Sequence, residues 1–169
     1  MRRSILSAVA IGALSVVAFA VPADARGHFR TEKLSGTSTT TSFAITASPT
    51  CDAAGNCVQG YTVTSQQSGD MQGTLTNDGT MYTAAGSSTF RVAIIGLFVG
   101  SVRGCGSGSF ALTFPLTDAD QSAPFTGHDA IVPGSGTGAL AGITGVGTYT
   151  FDPVSGTSQG SMIVLCRAG

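Results

Sequence analysis

Glycine is so frequent between Ile131 and Phe151 that this stretch cannot form a helix. The segment reads IVPGSGTGALAGITGVGTYTF, and its glycines are Gly134, Gly136, Gly138, Gly142, Gly145 and Gly147. Each glycine inside a helix costs about 1 kcal/mol relative to alanine. The segment therefore predicts a turn, a short apolar stretch, a second turn and a strand. No amphipathic helix pattern follows residue 26, and we predict an all-β fold.

Short runs in which apolar side chains alternate with threonine, serine or alanine recur along the chain, as at 42–46, 61–64, 109–114 and 148–151. This period of two is typical of strands with one buried face. About eight strands can be assigned, and eight antiparallel strands can close into a barrel that holds one small ligand. We predict an eight-stranded antiparallel β-barrel over residues 37–169, with a β-sandwich as the alternative.

Local composition predicts the connections. Gly69-Asp70 should turn the chain, and Asp78-Gly79 should form a tight turn between a strand at 71–75 and a return strand at 81–83. Residues 26–36 contain few large apolar side chains, so we predict a flexible N-terminal arm there.

The segment Val92–Val99 is apolar at nearly every position. In an all-β protein, a strand with two apolar faces is either covered by another element of the chain or buried against another subunit. We therefore expect a homo-oligomer that forms through this strand.

The N-terminus has the pattern of an export signal. Arg2 and Arg3 precede an apolar run from Ile5 to Ala20, and Ala23-Asp24-Ala25 resembles a cleavage site. We predict that residues 1–25 are a secretory signal peptide and that the protein is secreted. An uncleaved anchor is disfavoured because the run is shorter than the roughly 20 residues of a spanning helix, so no stable membrane span is expected after processing.

The remaining chain contains four cysteines: Cys51, Cys57, Cys105 and Cys166. An even number in an exported chain indicates disulfides, with three pairings open. A natural turn sequence separates Cys51 from Cys57, so we pair these two, which leaves Cys105 with Cys166. A zinc site is disfavoured because no two cysteines have the close spacing of zinc ligands.

Charge and motif spacing argue against several partners. Charged residues are only 10% of the chain and form no basic cluster, so nucleic acid is not expected. Gly136-x-Gly138-x-x-Ala141 matches a dinucleotide fingerprint, but no helix can follow it. The acidic residues from Asp118 to Asp129 are spaced like a calcium loop, yet Ala123 replaces the glycine that such loops need. We expect no cofactor and no metal.

Three glycine-rich blocks resemble those of a bacterial family of uncharacterised domains. In chain order they are Ser68-Gly69-Asp70-Met71-Gln72-Gly73, Gly106-Ser107-Gly108-Ser109-Phe110, and Val132-Pro133-Gly134-Ser135-Gly136-Thr137-Gly138 followed by Leu140-Ala141-Gly142-Ile143 and Gly145. The fold of that family resembles the allene oxide cyclase and dirigent barrels of plants. The resemblance implies an eight-stranded barrel and leaves the activity open. No motif in this sequence aligns with the pocket residues of the plant enzymes.

No nucleophile, base and orienting acid occur together, and we assign no catalytic residue. Four residues are candidates for contact with a ligand: Arg91, Asp70, His128 and Asp129. We favour solvent exposure for Arg91, although in the lumen beside Asp70 or Asp129 it would orient a carboxylate-bearing ligand. His128 and Asp129 are adjacent, so they should point to opposite faces of a strand. We favour a surface position for His128 over a base at the barrel mouth.

These observations predict a secreted barrel that binds a small apolar molecule or acts as an extracellular interaction module. The alternative is an isomerase or cyclase that acts on a reactive lipid-like or phenolic intermediate inside the barrel.

Overall fold

The structure is a computed structural model that describes residues 28–87, 89–114, 118–120 and 122–167, with the backbone alone at 118–120. The strands of these residues are β1 (Phe29–Ile45), β2 (Thr50–Cys51), β3 (Cys57–Gly69), β4 (Met71–Thr83), β5 (Thr89–Val102), β6 (Gly106–Phe114), β7 (Asp118–Asp120), β8 (Phe125–Ile131), β9 (Thr144–Asp152) and β10 (Thr157–Arg167). A 3₁₀ turn spans Gly138–Leu140. The predicted signal peptide, residues 1–25, lies outside the described residues.

Eight of the strands close into a barrel. Around its circumference β1, β3, β4, β5, β6, β8, β9 and β10 follow one another, and β10 pairs with β1 to complete the circle. Every neighbouring pair is antiparallel, while the short β2 and β7 pair with β3 and β5. This closure confirms the predicted barrel and removes the sandwich alternative.

The prediction of a flexible arm at residues 26–36 is wrong over its described part. From Phe29 onward these residues form the first half of β1, which pairs with β10 from Phe29 to Thr39. Leu34 is fully buried opposite Met162. Backbone pairing with β10 and the burial of Leu34 hold this strand in place. The low content of large apolar side chains was therefore a poor indicator of flexibility.

The predicted turn at Asp78-Gly79 is also wrong, because β4 runs unbroken through it. Asp78 points outward and accepts a hydrogen bond from Thr62 Oγ1 at 2.6 Å. Gly79 lies beneath the ring of Tyr61, which would collide with any Cβ atom there. The glycine therefore accommodates a cross-strand aromatic ring. The turn predicted at Gly69-Asp70 does join β3 to β4.

One end of the barrel, which we call the floor, is closed by the β5–β6 loop and by residues 132–143. The rings of Phe98 and Phe110 lie 4.9 Å apart above it, and both side chains are fully buried. Leu140 and Ile143 are fully buried as well. The hydrophobic core is therefore concentrated at this end.

Both predicted disulfides are present in the structure. Cys51–Cys57 joins β2 to β3, and Cys105–Cys166 joins the β5–β6 loop to the end of β10. Cys105 and Cys166 are each only 1% exposed, so the second bridge lies within the packed floor.

The glycine-rich blocks found in the sequence build the floor. Thr137 N donates to Ser109 O at 2.9 Å, and Ser109 N donates to Thr137 Oγ1 at 3.1 Å. Gly108 allows this approach, because a side chain there would meet the carbonyl of Thr137. These blocks therefore have a structural role in closing the barrel.

The outer face of β5 remains uncovered in the single chain. Ile95, Leu97 and Val99 are 63%, 50% and 53% exposed, whereas Val92 and Phe98 on the inner face are buried. Among the described residues, no helix has the length and apolarity needed to cross a membrane.

Candidate functional site

The barrel encloses a cavity of about 540 Å³ above the floor. Met71, Leu75 and Leu112 line its deep end against the core. Pro153 and Gly156 of the β9–β10 loop line its other end. The barrel is therefore not filled by its own side chains, and a lumen is left between the core and the loops.

Aromatic rings surround the end of the lumen that lies away from the floor, which we call the mouth. The Phe125 ring packs against Phe90, with centroids 6.5 Å apart, and against Phe151, with centroids 5.6 Å apart. Phe43 is stacked on Tyr61 at 5.8 Å and is 59% exposed. Such rings supply large apolar contact area to a bound molecule.

Four polar side chains from different strands line the middle of the lumen. We call them the polar lumen residues: Tyr61 on β3, Asn77 on β4, Asp129 on β8 and Tyr149 on β9. Each lies over the glycine directly opposite it on a neighbouring strand, and these pairs are Tyr61–Gly79, Asn77–Gly96, Asp129–Gly147 and Tyr149–Gly127. A Cβ atom at any of these glycines would collide with the polar side chain. The glycines therefore let these side chains lie along the wall, which keeps the lumen open.

Burial changes the acid–base properties of three polar lumen residues. Desolvation raises the pKa of Asp129 from 3.8 to about 6. Desolvation also raises the pKa of Tyr61 and of Tyr149 to about 12, and the charge of Asp129 contributes at Tyr149. The tyrosine hydroxyls are therefore neutral hydrogen-bond donors at neutral pH. Asp129 can exchange a proton close to neutrality, which is the range suited to acid–base chemistry.

Of the residues singled out from the sequence, only Asp129 faces the lumen. Asp70 lies in the β3–β4 turn, where it accepts a hydrogen bond from Ser35 N at 2.9 Å and pairs with Arg103 Nε at 3.3 Å. Arg91 and His128 are exposed on the outer face of the barrel. The surface positions favoured for Arg91 and His128 are therefore the ones observed, and Asp70 contributes to the fold rather than to the lumen.

Sequence reasoning missed Tyr61, Asn77 and Tyr149. The two tyrosines were assigned correctly to strand faces, but nothing local distinguishes them from core aromatics. Asn77 lies next to the turn that was predicted at Asp78-Gly79, outside the strands predicted at 71–75 and 81–83. Their common signal is a glycine on the opposite strand, and this signal becomes visible only when the register is known.

The described residues contain no cluster of side chains that could bind a metal ion. No three histidine, cysteine, aspartate or glutamate side chains there lie together as a metal site would require. The side chains of Asp118 and Asp120, which belong to the calcium-like spacing, lie outside the described residues.

The model of one protein family matches residues 34–162, which is more than half of the chain. That family is described as a protein of unknown function, DUF3224. The chain belongs to the DUF3224 family. The match covers the three glycine-rich blocks of the floor and all four polar lumen residues.

A solved DUF3224 structure is similar in fold. It is a crystal structure of a protein with unknown function from Shewanella oneidensis MR-1, with 17% sequence identity and a TM-score of 0.62. The similarity covers 83% of this chain and 100% of that chain. At this identity the likeness shows the fold alone. No curated protein matches the chain significantly.

Proposed function

We propose that this DUF3224 protein binds a small, mostly apolar molecule in the barrel lumen. The supporting observation is the cavity of about 540 Å³, lined by aromatic and aliphatic side chains with a few polar groups among them. Ligand sites typically occupy about 300–1,000 Å³ and combine an apolar wall with a small number of orienting polar groups.

Apolar contact would supply most of the affinity. Burial of apolar surface contributes about 25 cal/mol per Å², and the aromatic mouth together with Val63, Val92 and Ile94 presents such a surface to the lumen. The polar lumen residues would then orient one end of the molecule.

We propose that binding takes place outside the cell. Both disulfides are compatible with an extracellular protein, because such bonds persist in oxidising compartments. We also propose that subunits associate through the outer face of β5, since Ile95, Leu97 and Val99 leave an apolar strip there in the single chain.

Catalysis in the lumen is a second candidate, supported by the raised pKa of Asp129. A carboxyl that exchanges protons near neutrality, with the neutral hydroxyl donor of Tyr149 close to it, would suit an isomerase or cyclase. Turnover of a lipid-like or phenolic substrate that is lost in Asp129→Asn, with the fold intact, would support this function.

Native mass spectrometry of the exported protein tests the binding proposal. We expect adducts of small-molecule mass that dissociate on collisional activation. Val63→Trp places a large ring in the lumen and should abolish these adducts, while Thr64→Trp on the outer face of the same strand should retain them. Retention of the adducts in Val63→Trp would show that they bind elsewhere, and absence of adducts from wild type after incubation with apolar probes would refute the proposal.

A further inference from the structure

The lumen contains an uneven set of charges. Of the described residues that line it, Asp129 is the only one with a charged side chain; arginine, lysine and histidine do not occur among them. Buried charges are normally paired, because removing an ion from water is costly. The wall therefore offers a negative group to a ligand and no positive group in return.

Hydrogen-bond acceptors are also in excess. Asn77 Oδ1 and Asp129 Oδ1 are buried, and neither accepts a hydrogen bond from another described residue. In contrast, another polar pair in the same wall is satisfied, since Gln67 Nε2 donates to Ser38 Oγ at 2.8 Å. Leaving a buried acceptor unpaired is costly. Each of these oxygens therefore offers an acceptor to a ligand that donates hydrogen bonds.

Aromatic rings stand beside the carboxyl. Tyr149 interacts electrostatically with Asp129, and its ring packs edge-to-face against Phe114 with centroids 5.7 Å apart. Tyr61 lines the same cavity from β3. The faces of such rings attract cations, particularly where water is excluded.

We propose that the lumen selects molecules whose polar end is a protonated amine that pairs with Asp129, with Asn77 as a further acceptor in the lumen, and whose apolar body extends past the aromatic mouth. This inference rests on the proposed binding function and adds the chemical class of the ligand. This ligand differs from the carboxylate-bearing one considered from the sequence, because Arg91 lies on the outer face and Asp129 is the one charged side chain among the described residues of the lumen.

The proposal predicts a pH dependence with a definite sign. A bound ammonium stabilises the ionised form of Asp129, so amine affinity should fall as the pH drops through about 6. The ionisable groups around this carboxyl are Tyr149 and Tyr61 in the lumen and His128 on the outer face of its own strand. The tyrosines stay neutral across this range, and a His128→Gln variant removes the contribution of the imidazole, so the fall in amine affinity should persist in that variant.

Calorimetric titration with decylamine, decanol and decanoate tests the proposal, because the three probes share one apolar body. At pH 7.5 we expect decylamine to bind at least about tenfold more tightly than decanol, since a hydrogen bond to a charged group is worth about 1.4 kcal/mol more than a neutral one. Decanoate should bind most weakly. Asp129→Asn should remove the preference for the amine, whereas Asp78→Asn on the outer face should preserve it.

The wild-type series alone can overturn the inference. If decanol or decanoate binds as tightly as decylamine, the lumen binds apolar molecules without selecting amines, and only this inference fails. If none of the three probes binds, the proposed binding function fails with it. A preference for the amine that persists unchanged in Asp129→Asn would place the amine site elsewhere and overturn the assignment of Asp129.

Discussion

The burial of Asp129 leads to a quantitative prediction about stability. Its carboxyl has a pKa of about 6 in the folded chain, against 3.8 when exposed, chiefly because of desolvation. Between these two values the folded state binds more protons than the unfolded state, so the contribution of this group to stability falls as the pH rises. At about 1.36 kcal/mol per pH unit, the full loss amounts to about 3 kcal/mol above pH 6.

Asp129→Asn should remove this loss, because an amide stays neutral at every pH. Relative to wild type, the variant should gain up to about 3 kcal/mol in its free energy of unfolding between pH 4 and pH 7. If the new amide changes the free energy of unfolding by the same amount at every pH, this change does not affect how the difference from wild type varies with pH. Urea denaturation followed by far-ultraviolet circular dichroism measures the difference at each pH.

Asp78→Asn serves as the control, since Asp78 is exposed on the outer face and bonded to Thr62. Its difference from wild type should not rise between pH 4 and pH 7. A flat difference profile for Asp129→Asn over the same range would refute the claim that this carboxyl is desolvated in the lumen.

Three further predictions concern the floor and the outer face. Replacing Cys105 and Cys166 together by alanine should lower the free energy of unfolding by about 4 kcal/mol, because the bridge closes a loop with a sequence separation of 61; a loss below 1 kcal/mol in denaturant titrations would contradict this. Gly136→Ala should lower the free energy of unfolding by about 3 kcal/mol, because the new Cβ atom would strike a backbone carbonyl of the 3₁₀ turn. Gly142→Ala meets open space and should lower it by about 1 kcal/mol, because alanine is strained at a φ of +79°. Equal melting temperatures for the two variants would argue against the close approach at the floor. Sedimentation velocity should show an oligomer that Leu97→Lys dissociates, and a monomeric wild type at high concentration would exclude association through β5.

The barrel could be predicted from the sequence because its signals are local. Alternation of apolar and hydroxyl residues marks most strands, and the glycines after Ile131 exclude a helix. The predictions failed where the role of a residue depends on a contact with a residue far away in the sequence. Gly79 looks like part of a turn until the Tyr61 ring is placed over it, and Leu34 looks like an isolated apolar residue until Met162 is placed opposite.

The candidate site was harder to predict than the fold, for a physical reason. The recognisable glycine-rich blocks close the floor, where backbone segments approach one another so closely that a side chain larger than that of glycine would collide with them. Tyr61, Asn77 and Tyr149 come from separate strands and converge only through the register. Asp129 was named from the sequence only as a possible partner for a lumenal Arg91, and Arg91 lies on the outer face. The adjacency of His128 and Asp129 correctly indicated opposite faces of the strand.

The central claim is that the lumen is open to a small molecule, and methyl NMR tests it most directly. Met71, Met81 and Met162 all line the cavity, so [¹³C-methyl]methionine labelling places probes along its depth. Saturation with decylamine should shift the Met81 and Met71 resonances, and the Val63→Trp variant should suppress these shifts. Resonances that stay unchanged at millimolar concentrations of both decylamine and decanol would contradict an accessible lumen.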